Sequence, residues 1–364
     1  MSLLFVEQPP EVQKAALLPL VIHLEALPVV NAALQHMHVP VVSRLILTNP
    51  NAVEVGPVHV HIALDPAVSP PWEMTLQHMK PGEVVTFDEL TIKLPLSPER
   101  LANQIESEHG TIRLTVKTPD DRQEVVKPLD VSSFNQWFGL IHPESIACFV
   151  QPNHPALGPV LNAVQAAIAS STGSASLQGY QAGPERVMQI VEAVWRGCQS
   201  VGIRYADPPT SFEYAGQKIL LPDQVVNDKL GTCLDLSVFL ATVLERVGLH
   251  PFIVLVTGHA FPGVFLHQAD ELSSVTTDDV TEITKRVDAG SAVVFDSSAL
   301  ANGVAFNHAC GTAQVHYLTV DQFQRAIDVA ACRHPRSLIL PLPVRVSAFA
   351  VVDDTATSIA PIGF

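Results

Sequence analysis

Hydrophobic positions change period near residue 134, and the change divides the chain into two patterns. Between Leu20 and about Val131, polar and apolar residues alternate in short runs at 39–48, 57–64, 72–76, 83–87, 90–94, 110–116 and 124–129. Asn-Pro, Asp-Pro, Pro-Gly and Pro-Asp breaks separate them, and a period of two with such punctuation predicts strands. Six or more strands in this span predict an immunoglobulin-like β-sandwich. Pro98 to Glu108 is expected to cross within it as a helical or extended segment. Nothing in the sandwich looks catalytic, so it reads as a docking or spacer module. His59 and His61 share one strand face, but without a third ligand nearby they are expected to be solvent-facing rather than a metal site.

After Phe134 the spacing becomes helical. Residues 134–155 form a junction rich in aromatics and proline, where Trp137, Phe138 and Phe149 are expected to serve interdomain packing. Helices are predicted over 156–170 and 184–202, separated by a flexible loop at 171–176. In the second helix Val187, Ile190, Val191, Val194 and Trp195 make an apolar stripe. A third helix is predicted from the Gly231-Thr232 cap signal to Gly248, with Leu234, Val238, Leu240, Val243, Leu244 and Val247 at helical spacing. The stripe should pack on it.

Further on, apolar β-branched runs at 251–257, 263–266 and 291–296 predict buried strands. The acidic, Ser/Thr-rich stretch 268–285 reads as a solvated excursion ending in a short helix. Residues 302–315 read as loop, with His308 and Cys310 as structural residues. A helix is predicted over 319–332 and a final strand over 338–346. The expected organisation is a lead-in (1–19), the sandwich (20–133), a junction and helix (134–182), an α+β core (183–347) and an exit tail (348–364).

Chemistry concentrates between the third helix and the last of these strands. Cys233 falls in the first turn of a helix, where unpaired amides and the positive dipole end favour a thiolate. His259 follows the next strand, and Asp296 closes a later one. A carboxylate there can accept from the second ring nitrogen of His259 and fix its tautomer, so Cys233, His259 and Asp296 are the expected nucleophile, base and orienting acid. Acyl transfer also needs a donor pair for the oxyanion. Gln217 and Gln224, just upstream of the thiol, are candidates for the side-chain donor. Tyr205, Phe212 and Glu213, in an irregular stretch before them, are candidates to line a substrate cleft.

GTC at a helix start, GHA after the next strand and FDSSAL on a third resemble the core of the transglutaminase-like cysteine protease superfamily. Asn135 to Trp137, the run FVQPN at 149–153, Gly179-Tyr180, Arg204-Tyr205 with Ser211 to Glu213, and Gly216 to Lys218 resemble more closely the N-terminal region of large bacterial proteins that join such a core to a superfamily I helicase and a nuclease. The resemblance spans about residues 20 to 345. It implies an immunoglobulin-like β-sandwich followed by a papain/transglutaminase-like α+β core, with Cys233, His259 and Asp296 as the catalytic triad. The spacing between Cys233 and His259 is far shorter than the roughly 130–150 residues of papain-type enzymes. No Gly-x-x-x-x-Gly-Lys-Ser/Thr phosphate loop is present. The chain is thus either part of a larger protein or a free-standing relative.

Composition narrows the partners. The 364 residues carry a formal charge of −15, a sign that repels phosphate backbones, so direct nucleic-acid binding by this portion is not expected. A protein substrate is expected instead, with a helicase or nuclease in cis or trans as a partner. Hydrophobic residues make up 47% of the chain, enough for a large core. No apolar run reaches membrane-spanning length, and the opening segment lacks the basic n-region of a signal peptide, so a cytoplasmic, membrane-free protein is expected. Five cysteines without paired spacing argue against a disulfide framework and against a zinc site. No cofactor is expected. Protease, deamidase and transglutaminase chemistry share this triad; a protease ranks first because nothing suggests an amine-acceptor site. A non-catalytic interaction or regulatory module is the alternative.

Overall fold

A computed structural model of the chain describes residues 17–344. The lead-in before residue 17, the exit tail and the end of the expected final strand lie outside the described residues. The protein is of mixed α and β structure and clusters into two compact units. One joins residues 17–31 with His38–Ser133, and the other joins Ala32–Met37 with residues 134–344.

In the first part of the chain the elements are β1 (Val21–Ala26), β2 (Val29–Val30), α1 (Ala32–His36), β3 (Val42–Thr48), β4 (Val58–Asp65), β5 (Trp72–Leu76), β6 (Val84–Asp88), α2 (Pro98–Ala102), β7 (Glu108–Lys117) and β8 (Arg122–Val131). The first unit holds two sheets, ordered β1-β3-β6 and β2-β8-β7-β4-β5. Alternation along β4 sets its inner face: Val58, Val60, Ile62 and Leu64 are buried. The rings of Trp72 and Phe87, one from each sheet, meet edge to face with centroids 5.7 Å apart. His59 and His61 stand on the other face of β4 and pair across the ladder with Thr75 and Glu73. Among the described residues no cluster of three potential metal ligands occurs.

The run at 90–94, expected as a strand, is instead a turn. The carboxylate of Asp88 accepts from the backbone N–H of Leu90 and from both the N–H and hydroxyl of Thr91. Such a local acceptor competes with the sheet ladder and folds the chain back.

The second unit continues with β9 (Gln136–Trp137), α3 (Gly158–Thr172), α4 (Pro184–Ser200), β10 (Arg204–Tyr205), α5 (Phe212–Ala215), β11 (Gln217–Lys218), α6 (Pro222–Asp228), β12 (Leu230–Gly231), α7 (Cys233–Arg246), β13 (Pro251–Val256), β14 (His259–Phe265), β15 (Thr276–Thr277), α8 (Val280–Asp288), β16 (Ala292–Val294), α9 (Phe306–Thr312), β17 (Phe323–Asp328) and α10 (Val329–Arg333). Its main sheet runs β15-β17-β13-β14-β16, antiparallel throughout. Every residue of β13 and β14 is buried, because both sheet faces are covered. On one face Val264, Val293 and Phe295 join Leu236, Phe239, Leu240, Val243 and Leu244 of α7, together with the α4 stripe of Val187, Ile190, Val191, Val194 and Trp195. On the other, Phe252, Val254, Phe261 and Phe265 pack with Val280, Ile283, Ala313 and Leu318. Trp137, expected between domains, is buried within the second unit, where β9 pairs with β11.

Three expectations for this unit are corrected. Residues 319–332 are a strand followed by one short helix, since the wholly apolar β13 needs a partner along its second edge and β17 supplies it. Asp328 ends that strand and caps α10 by accepting from the N–H of Ala331 at 2.9 Å. The stretch expected as loop at 302–315 holds α9 and runs into a π-helical turn, Ala313–Tyr317, with Phe306, Ala309 and Ala313 buried at helical spacing. The described part of 338–346 is irregular, held by the N–H of Leu342 donating to the carbonyl of Cys148 at 2.7 Å.

Candidate active site

The site is built at the N-terminus of α7. Thr232 caps the helix with extended backbone, and its hydroxyl oxygen accepts from the N–H of Asp235 at 3.3 Å. Asp235 answers by accepting from the N–H of Thr232 at 3.0 Å and from its hydroxyl at 2.9 Å. The other oxygen of Asp235 accepts from the N–H of Leu220. This reciprocal box fixes where the helix begins, so Cys233 occupies the first helical position, where the chain's N–H groups have no partner inside the helix.

His259 reaches the same place by way of a two-residue turn. Thr257 and Gly258 join β13 to β14, Gly258 adopts φ +68°, and His259 pairs directly with Val256. A residue with a side chain takes that left-handed backbone only under strain. Asp296 lies just past β16, and its Oδ1 is 2.9 Å from Nε2 of His259. The same carboxylate accepts from the N–H and hydroxyl of Ser298. With Nε2 occupied by Asp296, Nδ1 is the ring nitrogen left for a second partner, and the Ser297 hydroxyl, 3.0 Å from the carbonyl of Cys233 and 2.9 Å from that of Ala260, ties the segments of Cys233 and His259 together.

The electrostatics follow from these contacts. Burial pulls the imidazole of His259 down, but the hydrogen bonds to Asp296 and Cys233 outweigh it and raise it to about 9. Burial works against the ionised form of Asp296, yet the bonds from His259 and Ser298 hold it below the usual carboxylate value. The four other thiols are pushed up by burial, Cys148 and Cys310 to about 12. They are therefore held protonated, and all five cysteines are free thiols.

Of the proposed oxyanion donors, Gln217 donates through Nε2 to the Thr232 hydroxyl at 3.1 Å, which places it beside the helix cap. Gln224 accepts from the N–H of Leu221 and serves the start of α6. Tyr205 lies on β10 level with Gly231 of β12, two residues before Cys233. Phe212 is fully buried, and Glu213 is buried with Oε1 accepting from the N–H of Gly258, beside His259.

Several participants escaped the sequence reading. Tyr317, from the π-helical turn, lays its ring on the imidazole of His259 with centroids 4.5 Å apart. No sequence signal announced it. Ser237 and Ser297, both wholly buried, hold the backbone around Cys233 and Ala260. Asp235 was legible in principle, since Thr-x-x-Asp at a helix start is a variant of the capping box. Comparison with protein-family models and with curated proteins finds no match.

Proposed function

We propose that the chain is a cysteine-dependent acyl-transfer enzyme, a protease acting on protein substrates. The observation that carries this reading is the arrangement of His259. One ring nitrogen is taken by Asp296 at 2.9 Å, while the Ser297 hydroxyl ties the backbone of Cys233, at a helix start, to that of Ala260, next to His259. Three residues distant in sequence are thus borne on segments held together, which supports a Cys-His-Asp arrangement of the kind nucleophilic catalysis uses. The finer fold belongs to the same proposal, an immunoglobulin-like β-sandwich ahead of a papain/transglutaminase-like α+β core.

In this mechanism Cys233 and His259 form a thiolate–imidazolium pair. The sulfur adds to a substrate carbonyl carbon, and the π pair moves to oxygen. His259 protonates the leaving amine as the tetrahedral adduct collapses to a thioester and the carbon–nitrogen bond breaks. It then takes a proton from water whose oxygen adds to the thioester carbon, and the carbon–sulfur bond breaks to release the acid and restore the thiolate. Asp296 keeps the ring oriented and offsets its positive charge. A helicase or nuclease in cis or trans remains the proposed partner.

A second reading, a non-catalytic interaction module, is favoured by one observation: the Cys233 side chain has no exposed surface. Intact-mass analysis of candidate protein substrates, incubated with wild type or Cys233→Ala, separates the possibilities. Cleaved fragments that require Cys233 support the protease. A one-dalton gain identifies a deamidase, and a crosslink with loss of ammonia a transglutaminase. Identical spectra with both proteins, and no selective alkylation of Cys233, favour the module.

A further inference from the structure

Both backbone N–H groups of the turn that carries His259 are held from outside its hairpin. That of Thr257 donates to the carbonyl of Gln322, at the entry to β17, at 2.9 Å. That of Gly258 donates to Oε1 of Glu213, on α5, at 3.3 Å. We propose that Glu213 is a positioning residue for His259, acting through the N–H of Gly258 to hold the imidazole in the orientation that activates Cys233. The inference rests on the acyl-transfer reading of Cys233 and deepens it.

The support has a rigid seat. The helix α5 has only four residues, yet Phe212 at its start is fully buried. Gly139 closes on it so tightly that a Cβ there would overlap the carbonyl oxygen of Glu213. Gly216 ends the helix at φ +75°, and a Cβ on it would strike the carbonyl oxygen of Trp137. A second tie runs beside the first. The hydroxyl of Tyr214 donates to Oε1 of Gln324 at 3.0 Å, and Nε2 of Gln324 donates to the hydroxyl of Thr257 at 3.1 Å. Adjacent residues of α5 thus brace both residues of the turn.

Energetics separates this role from a purely structural one. Glu213 is 3% exposed, and its Oε2 is buried with no hydrogen-bond partner among the described residues. Burying a half-satisfied carboxyl group costs stability. The side chain therefore contributes little to the fold beyond the bond to Gly258. His259 follows that glycine directly, and a rotation of the glycine backbone would swing the imidazole away from Asp296, 2.9 Å distant. Fixing the N–H restrains that rotation, and a side chain held by supporting hydrogen bonds keeps the geometry that catalysis needs.

Iodoacetamide alkylation of the full chain, mapped to Cys233 by peptide mass from about pH 5 to about pH 9, reads the alignment. An aligned imidazolium keeps the sulfur ionised in mild acid, whereas an isolated thiol ionises only around pH ~8.5. Glu213→Met keeps an unbranched side chain but offers no oxygen acceptor. Its alkylation near about pH 6 should fall at least about tenfold and rejoin wild type above about pH 9. Glu213→Gln keeps an acceptor oxygen and should stay within about threefold of wild type throughout. Neither substitution should lower the thermal unfolding midpoint, and neither alters Asp296 or the Tyr317 ring, which meet the imidazole directly. A wild-type pH profile in Glu213→Met overturns the proposal, and so does an equal fall in Glu213→Gln. A lowered midpoint in Glu213→Met, with alkylation changed at every pH, would make Glu213 a structural residue and overturn it too. If wild-type Cys233 itself shows the profile of an isolated thiol, the acyl-transfer reading fails, and the role of Glu213 with it.

Discussion

Ser237 and Ser297 meet in the interior with their hydroxyl oxygens 3.1 Å apart. Ser237 also lies 2.7 Å from the carbonyl of Cys233, and Ser297 lies 3.0 Å from that carbonyl and 2.9 Å from the carbonyl of Ala260. One residue of the pair belongs to the helix that Cys233 begins and the other follows Asp296, while Ala260 follows His259. The pair therefore ties together the three segments that bear Cys233, His259 and Asp296. Replacing Ser297 with Ala removes a donor where water does not reach, and should cost about 1–3 kcal/mol. Denaturant unfolding measures the loss. Catalysis should fall by more than the change in folded fraction, because the three segments lose their common anchor.

Asp235 sets the start of α7 through three accepted hydrogen bonds. Asp235→Ala should cost about 2–4 kcal/mol, as a cap and a buried acceptor are lost together. Asp235→Asn keeps one acceptor oxygen and should lie between it and wild type. Thermal unfolding ranks the three proteins. An unchanged midpoint in Asp235→Ala would show that the helix start is fixed by packing alone.

The sequence resolved those elements whose local period agrees with their tertiary role. The helix of Cys233, the α4 stripe and the paired His259 and Asp296 were legible because cap, spacing and strand ends all point one way. Residues 319–332 were misread because Val320, Phe323, Ile327 and Ala330 suit a helix, while the free edge of β13 requires a strand. The run at 90–94 failed for the opposite reason, a single side chain at Asp88 overruling β propensity. Tyr317 was invisible because its role depends on a π-helical turn brought against His259 from far along the chain.

Tyr317 covers the imidazole with a ring tilted 41° to it. Tyr317→Phe preserves that face and should retain activity within about twofold. Tyr317→Ala removes an aromatic contact worth about 0.5–1.5 kcal/mol beyond its buried area and frees the ring of His259 to reorient. Its kcat should fall while substrate KM changes little, a split that steady-state kinetics on a cleavable peptide would read. A rise in KM alone would instead place Tyr317 in substrate binding.

The raised imidazole of His259 makes stability depend on pH in a defined direction. Its ordinary value is 6.5 and its folded value about 9, so between these pH values the native state holds a proton that the unfolded chain has lost. The stabilisation is complete below pH 6.5 and disappears as pH rises through 9. Its upper size is about 3 kcal/mol for a shift of this extent. Asp296→Asn removes the charged partner, so the folded imidazole should titrate nearer its ordinary value and the alkaline loss should shrink. Urea unfolding of both proteins at intervals from pH 6 to 10 measures the difference. Parallel stability curves across that window would show that Asp296 does not hold the proton on His259.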